Sequence, residues 1–323
     1  MRAHLVAILL MAGCTAGATA QDWPTRPVTM VATAAAGSSN DVLGRILATQ
    51  LSQVLGQQIL VENVGGAGGS MGAARVANAA PDGQQFLLGG VGTQALNHAI
   101  YKKPLYNART DFTPVALLVE QSVVLVARRD LPVNDLRDFI AYAKANHAKM
   151  QYGSPGAGNM VHLACAMLNA RIGVDVTHIP YRGGGPAMQD LIAGRLDYQC
   201  VVASVAIPQI EGGRVKAIAI LQRDRSPILP NLASAGEQGL AEFDVRVWNG
   251  FFLPKATATS IVQRLFEASV ATLETRSVQE QLRANGATVV APERRSPGYL
   301  EGFVAAEIER WSVVVKSIGL SID

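Results

Sequence analysis

Two glycine- and serine-rich segments hold the residues best placed to do chemistry. One runs Ala34-Ala35-Ala36-Gly37-Ser38-Ser39-Asn40-Asp41, the other Gly153-Ser154-Pro155-Gly156-Ala157-Gly158-Asn159. Each follows a short β-like run and leads into apolar residues spaced three and four apart, the signature of a helix. Such a junction leaves backbone N–H groups without intrahelical acceptors, and anions bind there readily. Neither segment contains Lys or Arg. Recognition would then rest on N–H groups, the hydroxyls of Ser38, Ser39 and Ser154, the Asn159 amide and helix dipoles, which suit a carboxylate better than a polyphosphate. Ordinary capping explains either segment alone. Both lie after strands, beyond whose carboxyl ends open α/β sheets bind ligands, so together they could clamp a molecule with a negative group at each end.

Other candidates are weaker. His162 falls in the first turn after Asn159, as a hydrogen-bonded structural residue or a ligand contact. Arg182 could reach an anion or solvate the Tyr181–Gly185 turn. Gly68-Gly69-Ser70-Met71-Gly72 matches the nucleophile-elbow pattern, but a Gly-rich stretch separates Ser70 from the preceding strand, and a helix cap is the plainer reading. The His residues show no metal-ligand spacing, no phosphate-loop motif is present, and no cofactor or metal is expected.

The elements around these segments alternate strand and helix, which implies a mostly parallel sheet with both faces covered. Strands are expected at Val28–Thr33, Ile59–Val61, Phe86–Leu88, Val123–Val126, Gln151–Gly153, Thr177–Ile179, Leu196–Val202, Val215–Leu221 and Val245–Leu253. Helices are expected from Val42 to Leu55 with Ser38 as cap, near Met71–Ala77, at Leu136–Ala145 and Met160–Ile172, after Pro186, and near 259–274, 278–284 and 297–317. The pattern restarts after Glu120. Residues 123–245 are expected to form one lobe, and residues 21–122 plus 246–323 the other. Two strands then cross between them, near Glu120–Val124 and Val245–Gly250, and form a hinge.

The first 20 residues read as an export signal: Arg2, an apolar stretch from Leu5 to Met11 and an Ala18-Thr19-Ala20 cleavage site. Cys14 offers the alternative of a lipid anchor. About 300 residues remain, enough for two domains of ordinary size. Charged residues are 16% of the chain, net charge is +3 and no basic run occurs, which argues against nucleic acid as a partner. An oxidising compartment permits a Cys165–Cys200 disulfide, with two buried free thiols as the other reading.

The residues also carry a family resemblance. Trp23-Pro24-Thr25-Arg26-Pro27-Val28, Leu55-Gly56-Gln57, Val61-Glu62-Asn63, Ala80-Pro81-Asp82-Gly83, Asp111-Phe112-Thr113-Pro114-Val115, Ile179-Pro180-Tyr181-Arg182-Gly183-Gly184-Gly185-Pro186-Ala187 and Glu307-Ile308-Glu309-Arg310-Trp311 are similar to stretches of the substrate-binding proteins of tripartite tricarboxylate transporters, also called Bug receptors. The resemblance implies an α/β, two-lobed, type II-like periplasmic-binding-protein fold that closes on a small carboxylate. It also implies delivery to integral-membrane permease subunits; a monomer is expected. It places ligand contacts at Ala35, Ala36, Gly37, Ser38, Ser39 and Asp41, at Ser154, Gly156, Gly158 and Asn159, and near Gly92 and Thr93.

Three positions depart from the family pattern: the first loop lacks its Pro and aromatic residue, Asn159 replaces a hydroxyl residue, and Val201-Val202 stands where Asp-Asn is common. Without that acid a ligand amine has no partner. The expected ligand is therefore a non-amino dicarboxylate, with room for an aromatic body beside Val201. The alternatives are a sensory receptor docking on a membrane kinase and an exported hydrolase using Ser70.

Overall fold

The computed structural model describes residues 23–317 apart from Arg182, together with residue 319. The export signal, Cys14 and Arg182 lie outside the described residues. In chain order the elements are β1 (Val28–Ala32), α1 (Ser39–Leu55), β2 (Ile59–Asn63), α2 (Ser70–Ala77) and β3 (Gln85–Gly90). A π-helical turn, Gly92–Leu96, leads into α3 (Asn97–Ile100) and then β4 (Phe112–Arg128). There follow α4 (Leu136–Asn146), β5 (Gln151–Ser154), α5 (Met160–Ile172), β6 (Thr177–Pro180), α6 (Gly184–Ile192), β7 (Tyr198–Val202), α7 (Ala203–Glu211) and β8 (Val215–Ile220). The chain ends with β9 (Arg246–Pro254), α8 (Thr259–Glu274), α9 (Arg276–Ala284), β10 (Ala287–Val289) and α10 (Pro297–Ser317).

The frame is two-lobed, and β4 belongs to both halves. From Phe112 to Ser122 it pairs antiparallel with β9, and at Val119–Gln121 also with β10. From Val123 onward its partners are β7 and β8. The partners change between Ser122 and Val123. Strand directions then follow by logic. β1, β2 and β3 are mutually parallel, β3 is antiparallel to β9, and β9 is antiparallel to β4. These three strands thus point the same way as β4, with carboxyl ends toward the second lobe. β7 runs against β4, and β5 and β6 run with β7, so their carboxyl ends point back. Val202, the last residue of β7, sits opposite Val123 at the switch itself.

The sequence pattern showed only the Val123–Val126 part of this strand. The rest is masked because Glu120, Gln121 and Ser122 interrupt the apolar run, and because Pro114 sits at a register shift. On either side of the polar triplet, Val115–Val119 and Val123–Ala127 are fully buried, and Leu117, Val123, Leu125 and Ala127 belong to one apolar cluster that runs through both lobes. The return connection is narrow: Leu221 N–H donates to Val123 O at 2.8 Å and Val245 N–H to Leu221 O at 2.9 Å, after which β9 begins.

Local chemistry accounts for the elements that flank the seam. α1 buries Leu43, Leu47, Leu51 and Leu55 on one stripe. Ser38 caps it by accepting from Asp41 N–H, and Gly56 ends it in the left-handed conformation at φ 70°. α10 is tied to β9 by the buried carboxylate of Glu307, which accepts from the indoles of Trp248 at 2.9 Å and Trp311 at 3.1 Å. α7 was not expected from the sequence: Pro208 lies inside it and obscures the helical pattern. Among the described residues no helix is long and apolar enough to cross a membrane.

Cys165 of α5 and Cys200 of β7 are joined in a disulfide, with Cα atoms 5.5 Å apart and a sequence separation of 35. The bond fastens α5 to the sheet in the second lobe. In the chain-entropy account a loop of this length contributes roughly 2–4 kcal/mol. Replacing both cysteines by alanine is expected to lower unfolding free energy by that amount in urea titration, and a reducing agent should do the same to the native chain but leave the double variant unchanged.

Candidate functional site: helix N-termini at the lobe junction

The first loop is shaped from within by its own side chains. After β1, Thr33 N–H donates to Asn40 Oδ1 at 3.0 Å, and Ala34 O accepts from Asn63 Nδ2 at 3.1 Å. Gly37 N–H donates to Asp41 Oδ2 at 2.8 Å, Asp41 N–H to Ser38 Oγ at 3.3 Å, and Ser38 N–H to Ala35 O at 3.2 Å. Asp41 is 4% exposed, and Arg45 lies 2.9 Å from its Oδ1. Burial works against the Asp41 charge, but the Arg45 guanidinium, the Gly37 N–H and Asn63 outweigh it and hold the carboxyl below its usual range. Asp41 is thus turned inward, where it fixes the loop.

What the loop leaves free is backbone. Ser39 and Asn40 occupy the first turn, where N–H groups have no intrahelical acceptor. The N–H groups of Ala35 and Ala36 have no acceptor among the described residues, and Ala35, Ala36 and Gly37 are exposed.

The second loop is held by a parallel device. Gly158 N–H donates to His162 Nδ1 at 3.2 Å, so the His162 proton sits on Nε2. Ser154 is 1% exposed, and its hydroxyl lies 2.7 Å from His178 Nε2 and 3.1 Å from Gly156 O. Asn159 caps α5 by accepting from Val161 N–H at 3.0 Å. The Ser154 hydroxyl and the His162 ring are therefore committed to shaping the loop, while Gly156 and Asn159 remain half-buried at its surface.

The other candidates divide the same way. Gly92 is half-buried at the start of the π-helical turn, whereas Thr93 is 3% exposed, lies 3.3 Å from Gly90 O through its hydroxyl and accepts at its carbonyl from Tyr106. Val201 is buried in β7, paired with Val124. Ser70 is buried, and its hydroxyl accepts from the Asn97 amide at 2.8 Å, a partner that cannot take a proton from it as a catalytic base must.

The structure also brings together residues that the sequence did not suggest. A cavity of about 100 Å³ at the junction is lined by Gly37 and Ser39, by Gln121 of β4, by Ser204 and Val205 of α7, and by Asn285. Ser204 sits in the first turn of α7, whose start has no side-chain cap. Gly286 packs against it so closely that a Cβ would lie 2.6 Å from Ser204 N, and its φ of 69° independently requires glycine. Ser204 follows a strand end as Ser39 does. That signal was available, but only with α7 recognised as a helix.

Comparison with known proteins decides the family. A profile described as the tripartite tricarboxylate transporter family receptor, TctC, matches residues 43–320. The chain belongs to this receptor family. BugT of Bordetella pertussis is 32% identical over 96% of this chain and 95% of its own length. MatC of Rhodopseudomonas palustris, solved with bound malate, is 39% identical with a TM-score of 0.84, covering 91% of this chain and 100% of that one. A second R. palustris protein, solved with adipate, is 32% identical with a TM-score of 0.87, covering 93% and 100%. The fold is accordingly that of the two-lobed periplasmic binding proteins.

Within this TctC-family receptor the second loop rests on a stacked aromatic cluster. The His162 and His178 rings are 4.0 Å apart, and Tyr152 is 4.9 Å from His178. Burial, and then the neighbouring His178, push the His162 pKa down from 6.5 to about 4; burial also lowers His178. The sign follows from proton counting. Between pH 6.5 and about 4 the unfolded chain binds a proton that folded His162 refuses, so acid favours unfolding. Stability is expected to be complete above pH 6.5 and to fall by up to about 3 kcal/mol toward pH 4. His162→Asn keeps an acceptor for Gly158 N–H and removes the titration; denaturant titrations at stepped pH should show a shallower acid slope in this variant.

Proposed function

We propose that the protein is an exported receptor, released from its signal after Ala20, that captures a non-amino dicarboxylate of aliphatic or aromatic body between its lobes and delivers it to a tripartite tricarboxylate-type permease. The observation that carries this reading is the convergence of parallel-strand ends from both lobes on one seam, where helix N-termini expose unsatisfied N–H groups. One ligand carboxylate sits on the N–H groups of Ala35, Ala36, Ser39 and Asn40, with the Ser39 and Ser204 hydroxyls beside it. The other end meets Gly156, Asn159 and the start of α5. Malate and adipate, found in the two R. palustris relatives, are both non-amino dicarboxylates. Val201 and Val202 offer no anion to an ammonium group.

In this reading residues 21–122 plus 246–323 close on residues 123–245 about Ser122–Val123 and Val245–Arg246. Closure excludes water, and each N–H contact gains strength in the lower dielectric. The buried Asp41, Ser154 and His162 act as positioning residues.

A thermal-shift screen tests the ligand class. At about a hundredfold excess over Kd, malate, adipate or terephthalate should raise Tm by roughly 3–8 °C, because the ligand binds only the folded state. Aspartate and glutamate should leave Tm unchanged. Ser39→Asp places a like charge at the proposed carboxylate position without disturbing the Ser38 cap, and should weaken calorimetric affinity by at least about tenfold at unchanged intrinsic Tm. A preference for amino acids, or full affinity in Ser39→Asp, would overturn the proposal.

A further inference from the structure

The most conspicuous unexplained feature lies at β10. β10 pairs with β4 along one edge only. Its register, with Thr288 opposite Glu120 and Val290 N–H donating to Leu118 O at 3.1 Å, directs residues 288 and 290 toward β4. The backbone groups of Ala287 and Val289 therefore face outward. They have no hydrogen-bond partner among the described residues. Proteins usually block or cover such an edge.

This edge instead opens into a groove of about 550 Å³, with Ile228 of the second lobe on one wall and Arg276, Arg283 and Arg295 on the other. Arg276 is engaged by Glu280 at 2.8 Å. Arg283 is exposed and has no carboxylate within ion-pair distance among the described residues. The Arg295 side chain is 8% exposed. It donates from Nε to Val290 O, and its Nη1, 3.6 Å from Glu274, makes no hydrogen bond. Glu274 is thus its anionic partner, but at a distance too long for a hydrogen bond, and a guanidinium so buried gains from a closer carboxylate.

We propose that the groove receives an extended acidic segment of a partner protein, added as a strand to the free edge of β10. Backbone groups of the segment pair with the half-buried Val289, while Ala287 is 4% exposed, and the segment's carboxylates, recurring at every second residue, meet Arg283 and Arg295. The proposal uses neither loop, although Ala287 also lines the cavity beside Gly37 and Ser39.

The test is fluorescence anisotropy on the full mature protein with a labelled peptide of roughly six residues that alternates Glu and Val, the length of an average strand. Saturable binding is expected, with none for the matching Lys/Val peptide. Arg283→Glu should weaken binding by at least about tenfold. Val289→Pro should abolish it while preserving Tm, because the lost N–H points away from the ladder. If Val289→Pro does not fold, the exposed Arg283→Glu decides alone. The inference is overturned by no binding, by equal binding of the Lys/Val peptide, by unchanged affinity in Arg283→Glu, or by free glutarate displacing the peptide at equal affinity, which would make the groove a small-anion site.

Discussion

The change of partners along β4 is the constraint on which the rest of the molecule depends. One 17-residue strand lends its first part to one sheet and its last part to another. Antiparallel pairing on both sides of the change then forces the parallel strands of the two halves to aim their carboxyl ends at each other. Every loop that follows such a strand is delivered to the same seam. The polar triplet Glu120-Gln121-Ser122 marks the place where the strand passes from one set of partners to the other. Two of its three side chains are paired locally: Glu120 lies 2.6 Å from Arg294 and 3.7 Å from Arg246, and Ser122 lies 3.2 Å from Gln222, whereas the buried Gln121 Oε1 has no hydrogen-bond partner among the described residues.

At the seam, the two loops solve the same problem with different chemistry. In each, a glycine N–H is drawn onto a side chain four residues ahead, in the first turn of the following helix: Gly37 onto Asp41 and Gly158 onto His162. The bond folds the loop back over the helix start; in the first loop it leaves the N–H groups of Ala35 and Ala36 without an acceptor among the described residues, whereas in the second the N–H groups of Gly156 and Asn159 bond within the loop. The side chains that do this are buried because they must be, since an exposed carboxylate or imidazole would exchange its N–H partner for water. Asp41, Ser154 and His162, expected from the sequence near the ligand, are accordingly buried.

Much of the fold was legible in the sequence and rather less of the site. The limits of α5, α8 and α10 follow from apolar spacing and their flanking residues, and the Ser38 cap follows from its distance to Asp41. Failures have physical causes. Half of β4 was hidden by its polar triplet, and α7 by Pro208. Spacing places Asp41 and His162 in a first helical turn but does not say which way they face. For Asp41 the clue was Arg45, one turn later on the same face of the helix. Ser204, Asn285 and Gly286 meet the first loop only through tertiary packing, and the Arg283–Arg295 groove likewise joins residues that no local pattern relates.

The electrostatic consequence of the two loop devices bears directly on what the seam can hold. A carboxylate such as Asp41 so close to an anion site would repel its ligand if left bare. Arg45 lies 2.9 Å from it, so the first loop contributes a neutral pair. In the second loop burial keeps His162 neutral, with its pKa down at about 4, so that loop too carries no charge near neutral pH. The field at the seam is then set by what remains uncompensated, namely the exposed N–H groups and the helix ends behind them. Such a field falls off within a turn of the helix and rewards a small anion seated directly on the amides, while a bulky polyanion gains little from it. In the proposed reading, selectivity between ligands of equal charge passes to the distance between the two loops, and Val202 at the end of β7 brings no acid to the junction.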